Sequence, residues 1–192
     1  MELSDKPSEV IFARGKLFEL VHVEQPDGRV FEVSRRAPGV RLIIADKDQR
    51  AVLLTKEYRQ ELDAWDYRLP GGKVFDTLES YEASRSADED IIVKASQKAV
   101  AESVEEAGIE VEDMVLFRKS TLGATVEWDL YIFEVLAWSR AAGGQRLELG
   151  EDIETDNWFS YDDATALIMD GGMREERVAL VLLQWLHKQE QI

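Results

Sequence analysis

Three carboxylates fall on one helical turn in the stretch "AESVEEAG": Glu102, Glu105 and Glu106. The spacing i, i+3, i+4 puts them on a single helix face. Like charges that close cost stability, so the turn is either a solvated acidic face or a site for divalent cations. Mg²⁺ and Mn²⁺ are hard ions that prefer carboxylate oxygen and water. Three carboxylates on one face can hold such ions while an anionic substrate completes the shell. Upstream, "RLPGGKV" interrupts the chain with Pro70, Gly71 and Gly72. Paired glycines let the backbone bend tightly and come close to a neighbouring group.

Composition narrows the chemistry. The chain has 192 residues, 45% of them apolar, which suffices for one sizeable domain. It carries 23 basic and 39 acidic residues, net −16. That balance argues against non-specific binding to nucleic acid or to an anionic membrane, both of which need basic patches. A small phosphorylated substrate stays open, provided metal ions or a few well-placed arginines meet it. There is no cysteine, so disulfides, Cys-ligated zinc and thiolate catalysis are excluded. The two histidines, His22 and His187, are far apart, which argues against a His-rich metal site and suits ordinary surface or packing roles. "MELSDKPSEVIF" has no signal-peptide core, and no apolar run reaches membrane-spanning length. The expectation is a soluble, cytoplasmic protein.

Elements that could position the acidic turn follow from the periodicity. Residues 11–34 read as a hairpin of two β-prone runs around "QPDG". "APGV" breaks the pattern, and "RLIIAD" and "AVLLTKEYR" follow as strands around "KDQR". Residues 79–90 are polar, with no clear period. From about Asp88 to Ala107 the pattern is helical: Asp88, Glu89 and Asp90 suit the N-terminus and Gly108 the C′ position. "VEDMVLFRKST", "VEWDLYIFEVLAW" and "DNWFSY" read as strands, with Trp128 and Trp158 assigned to the core. "YDDATALIMDGG" and "REERVALVLLQWLHKQ" read as closing helices. Strands around one internal helix, ending in two more, predict an α/β sandwich with a mixed sheet.

The bend and the acidic helix together resemble the Nudix signature, in which G, five residues, E and seven residues precede R-E-U-x-E-E-x-G-U, U being aliphatic. Gly72 opens it, and "AESVEEAGI" matches at Glu102, Glu105, Glu106, Gly108 and Ile109. "AVLLTKEYRQ", "DAWDYRLPGGK", "LGATVEWDLYIFEV" and "LGEDIETDNWFSYDDA" resemble successive segments of ADP-ribose pyrophosphatases, over roughly residues 12–186. Three departures stand out. Ala101 occupies the place of the family's Arg, which helps hold the carboxylate cluster; Lys98, one turn earlier, can partly substitute. Ser103 replaces an aliphatic residue. The halves of the box are pushed apart, and Glu79 sits one place later after Gly72 than the pattern requires. The extra segment can loop out or lengthen the helix at its N-terminus.

The resemblance implies a Nudix α/β/α sandwich over residues 39–192, preceded by a small β-rich element, residues 1–38, that builds a homodimer. It implies Mg²⁺ or Mn²⁺ held by Glu102, Glu106 and Glu105, with a backbone carbonyl from Gly71 or Gly72 and help from Glu79. Glu105 is also a catalytic candidate. Glu151 in "LGEDIE" is the general-base candidate, ahead of Glu154 and Asp152. Arg59, Arg36 and Arg35 are expected to hold phosphate, for which the planar guanidinium fork is suited. The last two could reach the partner subunit's site. Trp65 and Phe18 could stack on a base. The implied reaction is hydrolysis of the pyrophosphate in ADP-ribose or a related nucleoside diphosphate sugar, giving nucleoside monophosphate and sugar phosphate. The rival from another class is a degenerate Nudix domain that binds a nucleotide without turning it over. A housecleaning nucleoside triphosphatase and isopentenyl diphosphate isomerase fit less well, the second because its catalytic cysteine has no counterpart.

Overall fold

The computed structural model describes residues 7–60, 62–147, 150 and 152–191. Its layering follows from strand alternation. In β4 (Gly39–Ile43), Val40 and Leu42 join one hydrophobic core while Ile43 joins another. In β6 (Ala51–Arg59), Leu53 joins the first core, and Val52 and Leu54 the second. Strands buried on both faces need helices on both sides. Here α2 (Ile91–Ala107) covers one side through Ala95, Ala99 and Ala107. On the other side, α3 (Tyr161–Met169) and α4 (Glu176–Gln189) pack with Trp185, Leu182 and Val178.

The central layer is built from two neighbouring sheets. In one, β10 (Leu130–Arg140) lies between parallel β4 and antiparallel β8 (Ile109–Ser120). In the other, β6 pairs antiparallel with β11 (Ile153–Ser160), β5 (Ala45–Asp46) and β7 (Ala64–Arg68). The mixed pairing around β10 and the helices on both faces match the expected architecture.

Residues 8–36 form more than the expected hairpin. β2 (Phe18–Glu24) and β3 (Val30–Arg36) turn at Gly28, whose φ is 85°, and β1 (Ser8–Arg14) adds to the edge of β2. β9 (Val126–Glu127) pairs parallel with β3 and ties this sheet to the rest. The "VEWDLYIFEVLAW" run is therefore broken at Trp128 and Asp129, which lie between β9 and β10.

The segment at 79–90 also differs from expectation. It contains a separate helix, α1 (Leu78–Ser86), whose Thr77 hydroxyl caps the Ser80 N–H at 3.1 Å. Only Leu78 and Ser84 are buried along α1, so the sequence carries almost no apolar stripe to reveal it. The chain turns at Asp88, φ 54°, and Asp90 caps α2 through the N–H groups of Ile92 and Val93. The insertion neither loops out nor lengthens α2. At the far end Gly108, φ 63°, stops α2 in the left-handed region. Among the described residues, no helix is long and apolar enough to cross a membrane.

Candidate functional site

A cleft of about 310 Å³ lies where the start of β4, the ends of β6 and β7, the Pro-Gly-Gly bend and the last turns of α2 meet. Two glycines shape the close approach there. Gly71 has φ +144°, and a Cβ on it would collide with the Val40 carbonyl. A Cβ on Gly72 would collide with the Glu102 carboxylate. The bend thus lies directly against the acidic turn. The Gly71 N–H donates to Glu106 Oε2 at 2.7 Å, and the Val40 N–H donates to the Gly72 carbonyl at 2.9 Å.

All three glutamates of the turn line this cleft. Glu102 is 7% exposed and takes an ion pair from Lys98 Nζ at 3.0 Å. Lys98 also lies 3.5 Å from Glu105. Burial opposes the Lys98 charge, but these two carboxylates outweigh it and raise the pKa. The lysine thus fills the supporting place that Ala101 leaves open. Burial pushes Glu106 up to about 8; the Gly71 N–H opposes the rise and the neighbouring Glu102 adds to it.

The same cleft gathers a group of cations. Arg36, Arg41, Arg59, Arg68 and Lys73 line the same cleft as Lys98, in a chain whose net charge is −16. Arg59 pairs with Glu57 at 2.6 Å, and Arg68 bridges Glu57 at 3.1 Å and Glu175 at 2.9 Å. Arg41 reaches Glu175 at 3.1 Å. Burial alone would raise the Glu175 pKa, but Arg41, Arg68 and Arg177 together hold it below the ordinary carboxylate value. Arg36 has no ion-pair partner among the described residues. Its guanidinium lies 5.0 Å from the Phe18 ring centre and 4.3 Å from that of Trp128. Arg177 covers Trp128 at 4.0 Å. Burial and the nearby Arg41 both lower the Arg36 pKa, against the opposing pull of Glu175.

The remaining candidates lie elsewhere. Glu79 is exposed in the first turn of α1, where it faces the favourable end of that helix dipole rather than the cleft. Trp65 is 38% exposed outside the cleft, covered by Lys56 at 4.5 Å and touched edge-on by Tyr58. Arg35 is held by Glu127, Glu9 and Glu19 at the N-terminal sheet. Glu154 pairs with Lys56 at 3.0 Å, and neither it nor Asp152 lines the cleft. Glu151 lies outside the described residues.

Sequence reasoning missed Arg41, Arg68, Glu57, Glu175, Arg177 and the cleft position of Trp128. Two of these had a legible signal. Arg41 is a lone charge inside the apolar strand "GVRLII", and a charge is seldom buried unless paired. Glu57 and Arg59 alternate on one face of a strand.

The cleft's oxygen donors match a hard divalent cation in kind. Glu106 is a buried carboxylate that such an ion would relieve. Among the described residues no three acidic side chains are grouped closely enough to hold an ion by themselves. A cation here would take the rest of its shell from substrate phosphate and water, as Mg²⁺ commonly does.

No protein-family model matches the chain. No curated protein matches it either. Among solved structures, it is similar to a crystal structure described as an ADP compounds hydrolase. The two share 17% sequence identity and a TM-score of 0.66, and the match covers 100% of both chains. The likeness identifies the fold, which is Nudix-like.

Proposed function

On this Nudix-like fold, we propose that the protein hydrolyses the pyrophosphate of ADP-ribose or a related nucleoside diphosphate sugar, with Mg²⁺ or Mn²⁺ as cofactor. The products are a nucleoside monophosphate and a sugar phosphate. One observation carries this reading. The carboxylate turn of α2 and an arginine group line one cleft, in a strongly acidic protein. Such a site suits a dianionic diphosphate between cations supplied by the chain and cations held by its carboxylates.

Glu102, Glu106 and Glu105 are the holding groups, with the second lone pair of the Gly72 carbonyl beside them. A bound divalent ion supplies charge neutralisation of the diphosphate and activation of water. Arg36, Arg59 and Arg41 orient the phosphates; Arg68 and Glu175 fix the arginines in place. Glu151 is the proposed base. The similar solved structure is described as an ADP compounds hydrolase, and its agreement with the substrate expected from the sequence supports the substrate class.

The experiment measures release of nucleoside monophosphate from ADP-ribose and a nucleotide-sugar panel, with Mg²⁺ and with EDTA, beside a Glu106→Gln variant. Metal-dependent release that drops by roughly a thousandfold or more in Glu106→Gln is the expected result. Turnover that persists in EDTA, or in the variant, removes the reading.

A second reading has its own observation. Lys98 already stands between Glu102 and Glu105, at 3.0 and 3.5 Å, and can neutralise them without a metal. A domain that binds a nucleotide without turnover would show saturable binding and no product across the panel.

The protein is also proposed to act as a cytoplasmic homodimer through residues 1–38, with no nucleic-acid or membrane partner. Val10, Ile11, Phe12, Val30 and Phe31 are exposed on β1 and β3, with Phe12 at 65%. Val10, Phe12 and Val30 share one face of this sheet, Phe12 stacking on His22, and Ile11 and Phe31 lie on the other; exposed apolar residues of this kind suit contact with a second copy of the chain.

A further inference from the structure

Arg36 closes β3, directly across from Phe18 of β2 in the strand register. Residues directly opposite share one sheet face, so the two side chains meet there. The guanidinium lies 5.0 Å from the Phe18 ring centre. Along the other edge of β3, β9 pairs Val126 with Ser34 and Glu127 with Arg35. The next residue, Trp128, therefore comes beside Arg36, and its ring centre lies 4.3 Å from the guanidinium. The backbone on both sides of Trp128 is fixed. The Ser34 N–H donates to the Thr125 carbonyl at 2.9 Å, and the Gly39 N–H to that of Asp129 at 3.0 Å. From the start of α4, Arg177 donates to the Trp128 carbonyl at 2.8 Å and lies over the same indole at 4.0 Å.

The other arginines of the cleft are held in another way. Arg59, Arg68 and Arg41 each pair with Glu57 or Glu175. A carboxylate fixes a guanidinium, but it offsets the charge and occupies part of the donor edge. An aromatic ring fixes it through the flat face instead. The charge is then left in place, and the N–H groups along the edge stay open for a bidentate grip on phosphate. Of the arginines that line the cleft, Arg36 is the one with no ion pair among the described residues, and it lies over two rings. Hydrogen bonding does not account for a tryptophan here. The Trp128 Nε1 is buried with no partner among the described residues. What this side chain contributes is its face.

We propose that Trp128 is a positioning residue, which holds the Arg36 guanidinium in the cleft by its face and leaves the charge and donors of that arginine for the diphosphate. The assignment rests on the diphosphate reading of the cleft and adds to it the group that sets one anion contact.

The test is calorimetric titration of the full-length protein with inorganic pyrophosphate in EDTA, so that neither metal nor turnover is needed. The variants are Trp128→Leu, Trp128→Phe, Arg36→Ala and the double variant Arg36→Ala/Trp128→Leu, each verified as folded by a thermal melt. Trp128→Leu is expected to weaken binding roughly tenfold, as loss of a partly desolvated cation–π contact would. Trp128→Phe keeps an aromatic face and gives up only an unpartnered N–H, so it should stay within about threefold of the wild type. Arg36→Ala is expected to lose at least as much as Trp128→Leu, and the double variant no more than Arg36→Ala alone. Losses that add in the double variant overturn the proposal, because a purely structural role for Trp128 would give that result. So does a loss in Trp128→Phe as large as in Trp128→Leu. A second readout needs only the wild type, with Arg36→Ala to identify the signal. The Arg36 Nε–H resonance should be displaced from those of the other arginines by the ring current of Trp128, and an ordinary shift overturns the proposal as well. A wild type that binds no pyrophosphate removes the diphosphate reading and the proposal together. Coupled losses with no turnover of the nucleotide-sugar panel remove the hydrolase and leave Trp128 its role. Turnover with additive losses does the reverse.

Discussion

Gly71 and Gly72 allow two parts of the site to touch. Alanine at Gly71 combines an unfavourable φ with a clash against the Val40 carbonyl, and alanine at Gly72 displaces the Glu102 carboxylate. The Gly71 substitution is expected to cost on the order of 1–3 kcal/mol, and the Gly72 one less, because the end of the Glu102 side chain can move aside. For a chain of this size that lowers Tm by roughly 2–4 °C per kcal/mol, checked by calorimetry. Glu175 makes a different kind of prediction. Its carboxyl is held below its ordinary value in the folded protein, chiefly by Arg41 and Arg68 against the opposing effect of burial. A depressed carboxylate contributes stability that is complete above the unfolded pKa and lost as pH falls through the folded one. Wild-type Tm should therefore fall as pH drops below about 4.5. Glu175→Gln should show a flatter profile there and lose about 3 kcal/mol at neutral pH, because it removes the carboxylate that Arg41 pairs with and one of the partners of Arg68. A Glu175→Gln Tm equal to wild type at pH 7 would show that the arginines do not depend on it. The acidic triplet and the glycine pair were legible in the sequence because their partners are local or their geometry is backbone-borne. Glu175 was not, since it meets Arg41 across 134 positions of sequence.

The helix bearing the carboxylates is set by its ends. Asp90 caps it at the N-terminus and Gly108 stops it in the left-handed region. Asp90→Ala should cost about 1 kcal/mol, and Asp88→Gly should be neutral or slightly stabilising, because Asp88 already holds φ 54°. Thermal melts of the two variants read both effects. A large loss in Asp88→Gly would mean that the aspartate side chain, rather than its backbone conformation, makes the turn. The end of α2 was evident from the apolar spacing and the glycine, α3 from its Asp-rich start and Gly stop, and α4 from its apolar stripe. α1 escaped notice because its buried positions are few and its surface is polar. Trp128 escaped for a related reason. It interrupts a run that alternates well enough to pass for one strand, and its separation from β10 follows from Val126 and Glu127 joining the N-terminal sheet instead.

The whole molecule carries net −16, yet it gathers arginines at one cleft. An anionic substrate is repelled by most of the surface and attracted at that place. Substrate capture should therefore depend on ionic strength, as charge-dependent encounter does. The N-terminal sheet poses the other question at this scale. Phe12→Glu puts a charge at the most exposed large apolar residue of β1. If this face joins two copies, sedimentation will show a dimer for the wild type and a monomer for the variant; a wild-type monomer refutes the dimer. The sequence by itself determined the layered α/β architecture, because alternation and helical period report which faces must be buried. It also determined the acidic turn and its glycine bend, whose geometry is local. Only the tertiary structure decided which cations share the cleft with that turn, that Lys98 stands in for the missing arginine, and that Trp128 lies beside Arg36. Those facts depend on side chains distant in sequence coming together, and neither composition nor period encodes such pairings.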